Sequence, residues 1–187
     1  MASDAEFPDR ESWLFDKVMQ LQKKTRICAA YHAKRERFYG IWERVFQAAT
    51  ALTATAAFAD IAGNGDTTKW WAVFAAAGSI IPLVFGFADR ARLHGQLKSG
   101  FKGALAAMYA AGVEPNEEQY NLFRSQIAKL EADEPAQLGA LTIQCENEVA
   151  AAARGTIYPL KFWERFGMHY FNFDATHIVS RDKKTAA

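Results

Sequence analysis

Residues 70–88 read WWAVFAAAGSIIPLVFGFA, 19 consecutive residues without a charge. A helix rises about 1.5 Å per residue, so this stretch nearly matches a hydrocarbon core of about 30 Å. Just upstream, residues 45–62 read VFQAATALTATAAFADIA, 18 residues with one acid near the end. Between the two stretches lies Gly63-Asn64-Gly65-Asp66-Thr67-Thr68-Lys69, a short turn-forming loop. Trp70 and Trp71 stand where an interfacial aromatic anchor would stand, and Tyr39 and Trp42 flank the other end. The pattern predicts a helical hairpin over 45–88 that crosses a membrane twice. The competing reading is a buried helical hairpin inside a soluble bundle, because alanine lowers the hydrophobicity of both stretches. The first stretch starts far into the sequence with no short basic leader before it, which argues against a signal peptide.

Charge sets the expected orientation. Residues 23–44 carry seven basic residues, Lys23, Lys24, Arg26, Lys34, Arg35, Arg37 and Arg44, against two acids, Glu36 and Glu43. Residues 90–102 carry Arg90, Arg92, Lys98 and Lys102 and no acid. The connecting loop holds only Asp66 and Lys69. Lys34, Arg35, Arg37, Arg44, Arg90 and Arg92 thus read as membrane-flanking cations, and the positive-inside rule puts both termini in the cytoplasm. Tyr31, Phe38 and Tyr39 interleave with the first cluster, a pattern that also suits nucleic-acid binding. Beside a membrane span, the flanking role is the stronger reading. Over all 187 residues the charges nearly cancel, with 22 Lys+Arg, 21 Asp+Glu and a net charge of +1. That balance gives no global case for a nucleic-acid partner, and half the residues are hydrophobic, which excludes bulk disorder.

Catalytic and metal chemistry find little support. Cys28 and Cys145 are far apart and lack partners at metal spacing, so a disulfide framework or a cysteine zinc site is not expected. His32, His94, His169 and His177 form no HxxxH or HExxH pair. No phosphate-binding GxxxxGK[ST] or GxGxxG occurs, and the Gly63–Asp66 run has no strand before it. No catalytic, cofactor-binding or metal residue is assigned, and the sequence points away from an enzyme.

The rest reads as helices, giving an all-α fold in which the hairpin continues into a cytoplasmic bundle. Leu14, Val18, Leu21, Thr25 and Cys28 recur at spacings of four and three, a heptad-like seam on a helix over 12–44 that runs into the first span. Within 89–155, Leu93, Leu97, Phe101, Leu105 and Met108 mark one helical face ending near Gly112. Pro115 and Asn116 start a second helix, with Glu117 and Glu118 in its first turn and Tyr120, Phe123, Ile127 and Leu130 on its apolar face. Pro135 is expected to open a third, carrying Leu138, Leu141, Cys145 and Val149 and ending at Gly155. Residues 103–153 hold eight acids and two basic residues, which suits either packing beside the basic stems or a solvated acidic face.

Residues 157–173, IYPLKFWERFGMHYFNF, are seven-seventeenths aromatic. Phe162, Phe166 and Tyr170 share a helical face, Trp163 lies beside them, and Lys161, Glu164 and Arg165 alternate among them. Such a segment suits the membrane interface or a subunit contact, or else a last helix closing the bundle core. Residues 174–187 read as a tail, frayed from 181 onward.

The basic-aromatic helix YHAKRERFYGIWERV (31–45), the two apolar stretches with a short loop, the basic exit FADRARLHGQLKSG (87–100) and the acidic helices after it together resemble the SLATT family. These are two-transmembrane effector domains that accompany nucleotide-signalling and other bacterial defence systems. The likeness covers about residues 12–155 and rests on architecture and composition. It implies an inner-membrane protein that disrupts the membrane or forms a pore after a signalling protein or nucleotide second messenger acts on it, arresting or killing an infected cell. No catalytic residues carry over, and 157–173 lies outside the likeness.

The residues themselves allow a pore. Gln47, Thr50, Thr53 and Asp60 fall within about 140° of one another at 100° per residue. That polar stripe could line a pore or hydrogen-bond to the second span. Gly78, Pro82 and Gly86 recur every four residues and form a small-residue packing face, and Pro82 removes one backbone hydrogen bond. Two spans per chain cannot enclose a wide channel alone, so a pore implies a homo-oligomer. The alternative is a non-conducting membrane scaffold that recruits a soluble partner.

Overall fold

A computed structural model describes residues 10–63, 67–112 and 116–185. The calls on Asn64, Gly65, Asp66 and Pro115 lie outside the described residues, as do 186–187 of the expected tail. Described residues form helices only: α1 Arg10–Ala62, α2 Thr68–Phe85, α3 Phe87–Ala110, α4 Glu117–Ala132, α5 Gly139–Ala152, α6 Phe162–Gly167 and α7 Ala175–Thr185. The all-α expectation holds. The chain divides into two compact units, Met1–His32 with Leu97–Ala187, and Ala33–Gln96.

The first unit carries the core. The expected seam on α1 is real: Val18, Thr25 and Cys28 are buried, and Leu21 packs against the main cluster. Leu97, Phe101, Ala104 and Met108 of α3 meet Cys28 and Ala29 of α1 and Phe123 and Ile127 of α4. Leu93, expected on the same face, is exposed. Asn116 caps α4 reciprocally with Gln119: Gln119 N–H donates to Asn116 Oδ1 at 2.8 Å, and Asn116 N–H donates to Gln119 Oε1 at 2.9 Å.

The third expected helix begins four residues later than Pro135. Residues 134–138 are not helical, and tertiary partners take up the first amides: Leu138 N–H donates to the Tyr31 hydroxyl at 3.0 Å, and Gly139 N–H to Asn172 Oδ1 at 3.1 Å. A side-chain Cβ on Gly139 would lie 2.1 Å from the Phe173 carbonyl oxygen, so only glycine fits there. At its other end α5 stops at Ala152, ahead of Gly155, because Arg154 takes a left-handed φ of 52° and Gly155 N–H returns to the Ala150 carbonyl at 2.8 Å.

The segment read as a tail contains a helix. Asp174 starts α7 by accepting from Thr176 N–H at 2.9 Å, and Ile178 is buried with Ala140 and Ile143 of α5. The sequence reading missed it because one buried isoleucine among polar neighbours gives no periodic stripe.

In the second unit the long apolar stretch is interrupted. Residues 70–88 do not form one helix: α2 ends at Phe85, where Gly86 adopts a left-handed φ of 60°, and α3 starts at Phe87. Gly86 therefore leaves the expected packing face; among the described residues nothing lies within 4 Å of where its side chain would be, and its use is conformational.

Candidate membrane-spanning segments

Two helical stretches, in α1 and in α2 with α3, are long and apolar enough to cross a membrane, with mean hydropathies of 1.3 and 1.9 over their best 18-residue windows. Length and composition alone would also admit the core helix of a soluble protein. Burial bears on that alternative, because none of either window is buried in the chain. Leu52, Phe58, Leu83 and Val84 are each more than 70% exposed, at 71%, 76%, 81% and 74%. A soluble helix of this composition turns such side chains inward, since each large apolar side chain left in water forgoes about 1.5–3 kcal/mol.

The polar stripe residues sit in distinct surroundings. Gln47 is exposed and its amide donates to Glu43 at 3.2 Å, one turn back on α1. Thr53 donates to the Ala49 and Thr50 carbonyls of its own helix, both at 3.0 Å. The Thr50 hydroxyl is turned toward Gly78 of α2 and buried there. Asp60 reaches across the turn and accepts from the hydroxyls of Thr67, at 2.9 Å, and Thr68. Thr50 and Asp60 are thus engaged between α1 and the start and middle of α2, while Thr53 and Gln47 are engaged along α1. Of the small-residue face, Gly78 makes the close approach and Pro82 lies inside α2.

An aromatic and cationic cluster gathers where the basic residues flank these segments. Tyr39 is buried, its ring stacked on His94 at 5.6 Å and lying under the Arg35 guanidinium at 4.5 Å and the Arg90 guanidinium at 5.8 Å. Arg35 also donates to the Tyr39 hydroxyl. Phe87 stacks on Phe46 at 5.6 Å and on Phe85 at 5.7 Å, and Trp42 leans on Phe46 at 6.0 Å. Sequence reasoning treated the six flanking cations alike. The structure separates Arg35, which is buried, from Arg37, Arg44, Arg90 and Arg92, which are exposed; Lys34 is half-buried. Tyr39 and Trp42, expected as interfacial anchors, are the ring partners of this cluster, whereas Trp70 remains 58% exposed.

The first unit adds a buried polar knot that the sequence did not signal. His32 is fully buried, stacks on Phe101 at 5.5 Å and lies 3.0 Å from Glu134 through Nε2. Lys24 pairs with Glu131 at 2.6 Å. Cys28 lies in the same neighbourhood, and burial, with Glu134 and Glu131 nearby, pushes its thiol up to about 11. A shallow groove of about 600 Å³ runs beside it, lined in part by Trp13, Lys17, Lys24, Tyr120 and Arg124. Phe162, Trp163, Phe166 and Tyr170 are all exposed, Phe162 stacking on Phe166 at 6.5 Å. Tyr170 falls past the end of α6. Among the described residues no three His, Cys, Asp or Glu side chains gather as a metal site.

No protein-family model, no curated protein and no solved structure matches this sequence.

Proposed function

We propose that the chain is a two-span protein of the bacterial inner membrane, with both ends cytoplasmic, that oligomerises on receiving a cytoplasmic signal and permeabilises the bilayer. The observation that carries the membrane part is that no residue of either apolar window is buried in the chain, with Leu52, Phe58, Leu83 and Val84 turned outward. The basic residues outside them, with a nearly neutral loop between, support the orientation. The permeabilising step, and its place in defence against infection, rest on the likeness to the SLATT family. The groove is lined by the Trp13 and Tyr120 rings and by Lys17 and Arg124, with Glu117 also in its lining and Lys24 paired to Glu131; the two rings and the two cations are what would receive a nucleotide signal.

A specific observation favours the second reading, a non-conducting scaffold: Asp60 already accepts hydrogen bonds from Thr67 and Thr68, and the Thr50 hydroxyl is buried against Gly78 of α2. Potential-sensitive dye in cells expressing the triggered system separates the two. Collapse of the potential, together with leak from vesicles bearing the purified chain, supports the effector. Retained potential with a stable soluble partner on pull-down supports the scaffold. Recovery of the protein in the soluble fraction after an alkaline carbonate wash overturns both.

A further inference from the structure

The aromatic segment after α5 inverts the usual order of a surface helix. α6 turns Glu164, 5% exposed, and Gly167 inward. The Glu164 carboxylate accepts from Lys161 N–H at 2.7 Å, and a side chain on Gly167 would press on Phe171 and Phe173 at 3.1 Å. The outward side carries Phe162, Trp163 and Phe166, 81%, 59% and 76% exposed, and Tyr170 and Phe171 beyond the helix are 54% and 66% exposed. An acid inside and three large rings, Phe162, Trp163 and Phe166, on the outward side of one short helix leave an apolar patch without cover in water.

We propose that this patch inserts into the headgroup layer of an anionic bilayer. The inference rests on the membrane reading above. Two observations select lipid as the occupant. The rings are accompanied by exposed cations: Lys161 lies over the Trp163 ring at 5.0 Å and Arg165 stands on the helix between the phenylalanines. The acid of the segment, Glu164, is withdrawn, so the outward charge is positive and complements anionic headgroups. Aromatic rings beside Lys and Arg are also the composition of the membrane–water boundary, where ring faces meet acyl chains and polar edges stay hydrated.

The test labels Phe166→Cys with an environment-sensitive fluorophore; Cys28 and Cys145 are buried, which directs the label to the new thiol. The full chain is reconstituted in vesicles of phosphatidylcholine and phosphatidylglycerol and floated on a gradient. Expected results are flotation, blue-shifted emission, and quenching at least about twofold stronger by a shallow spin-labelled lipid than by a deep one. Lys161→Glu with Arg165→Glu should weaken that quenching while flotation persists. Flotation with water-like emission overturns the proposal and leaves the membrane reading intact. Blue-shifted emission without lipid quenching overturns it in favour of a second copy or another protein on the patch. A chain that does not float overturns both. The same label on Phe162→Cys guards against an effect of one substitution.

Discussion

A side-chain carbon on Gly78 would lie 2.6 Å from the Thr50 hydroxyl oxygen, well inside normal contact distance. The two residues therefore fix how closely α1 and α2 approach at mid-length. That hydroxyl has no hydrogen-bond partner among the described residues. Gly78→Ala should destabilise by about 1–3 kcal/mol through overpacking. Thr50→Ala should cost little, because it removes an unsatisfied group. The double variant should recover most of the loss. Denaturant titration in detergent gives the double-mutant cycle; strict additivity would show that the residues do not touch.

Gly139 makes the same kind of contact in the first unit, against backbone in place of a side chain. Gly139→Ala drives its methyl to 2.1 Å from the Phe173 oxygen, and a carbonyl cannot rotate away as a hydroxyl can. The expected loss is larger, about 2–4 kcal/mol, with α7 released first. Limited proteolysis should show early cleavage after residue 173.

Arg154 offers the opposite sign. Its left-handed φ of 52° strains any residue with a β-carbon. Arg154→Gly should stabilise by about 0.5–1 kcal/mol, raising the melting temperature by about 1–4 °C. An unchanged melting temperature would mean that the arginine side chain supplies compensating contacts.

Cys28 predicts a pH dependence. Its thiol is raised from an ordinary 9.0 to about 11, chiefly by burial. The folded chain thus holds the proton more tightly than the unfolded chain. Its contribution is full below about pH 9 and is lost as pH climbs from there toward 11. Stability measured across that window should fall, and Cys28→Ala should flatten the slope. At pH 8 the native thiol should also resist thiol-reactive dyes until the chain is unfolded.

The groove residues give a binding prediction. Lys17→Glu with Arg124→Glu reverses two of the cations that line the 600 Å³ groove. Thermal-shift or calorimetric titration with a panel of nucleotides should detect a ligand for the parent chain and a loss of at least about tenfold in affinity for the variant. Equal affinity in both chains would remove the groove as the receiving site.

Much of the fold was legible because it follows from helical periodicity. The seam through Val18, Thr25 and Cys28 and the face through Leu97, Phe101 and Met108 each repeat at three and four residues, and burial followed. The two apolar stretches were legible from length and lack of charge. What the sequence hid was tertiary. Gly86 has the same composition whether it packs or caps, and only its φ of 60° separates the two uses. α7 depends on Ile178 finding Ala140 and Ile143, residues 38 and 35 positions earlier. The Asp60 bonds to Thr67 and Thr68 cross a turn, so helical angles alone grouped the carboxylate with the residues above it. The His32–Glu134 pair joins distant positions and left no spacing to read.

The left-handed residue at Gly86 acts as a ruler for depth. The 18 residues of α2 span about 27 Å, close to the thickness of a bilayer interior. A left-handed residue interrupts the amide ladder, and hydrocarbon offers no water to repair such a gap. Where it faces lipid, such a break is tolerated only near the polar boundary. In the proposed two-span arrangement, backbone geometry, and not the last apolar side chain, would then mark where the second crossing stops: Phe87 and Ala88 fall beyond the mark despite their chemistry. A thicker membrane would have to meet the helix by drawing that break inward, so in the proposed arrangement the glycine would make the chain sensitive to the thickness of the lipid around it.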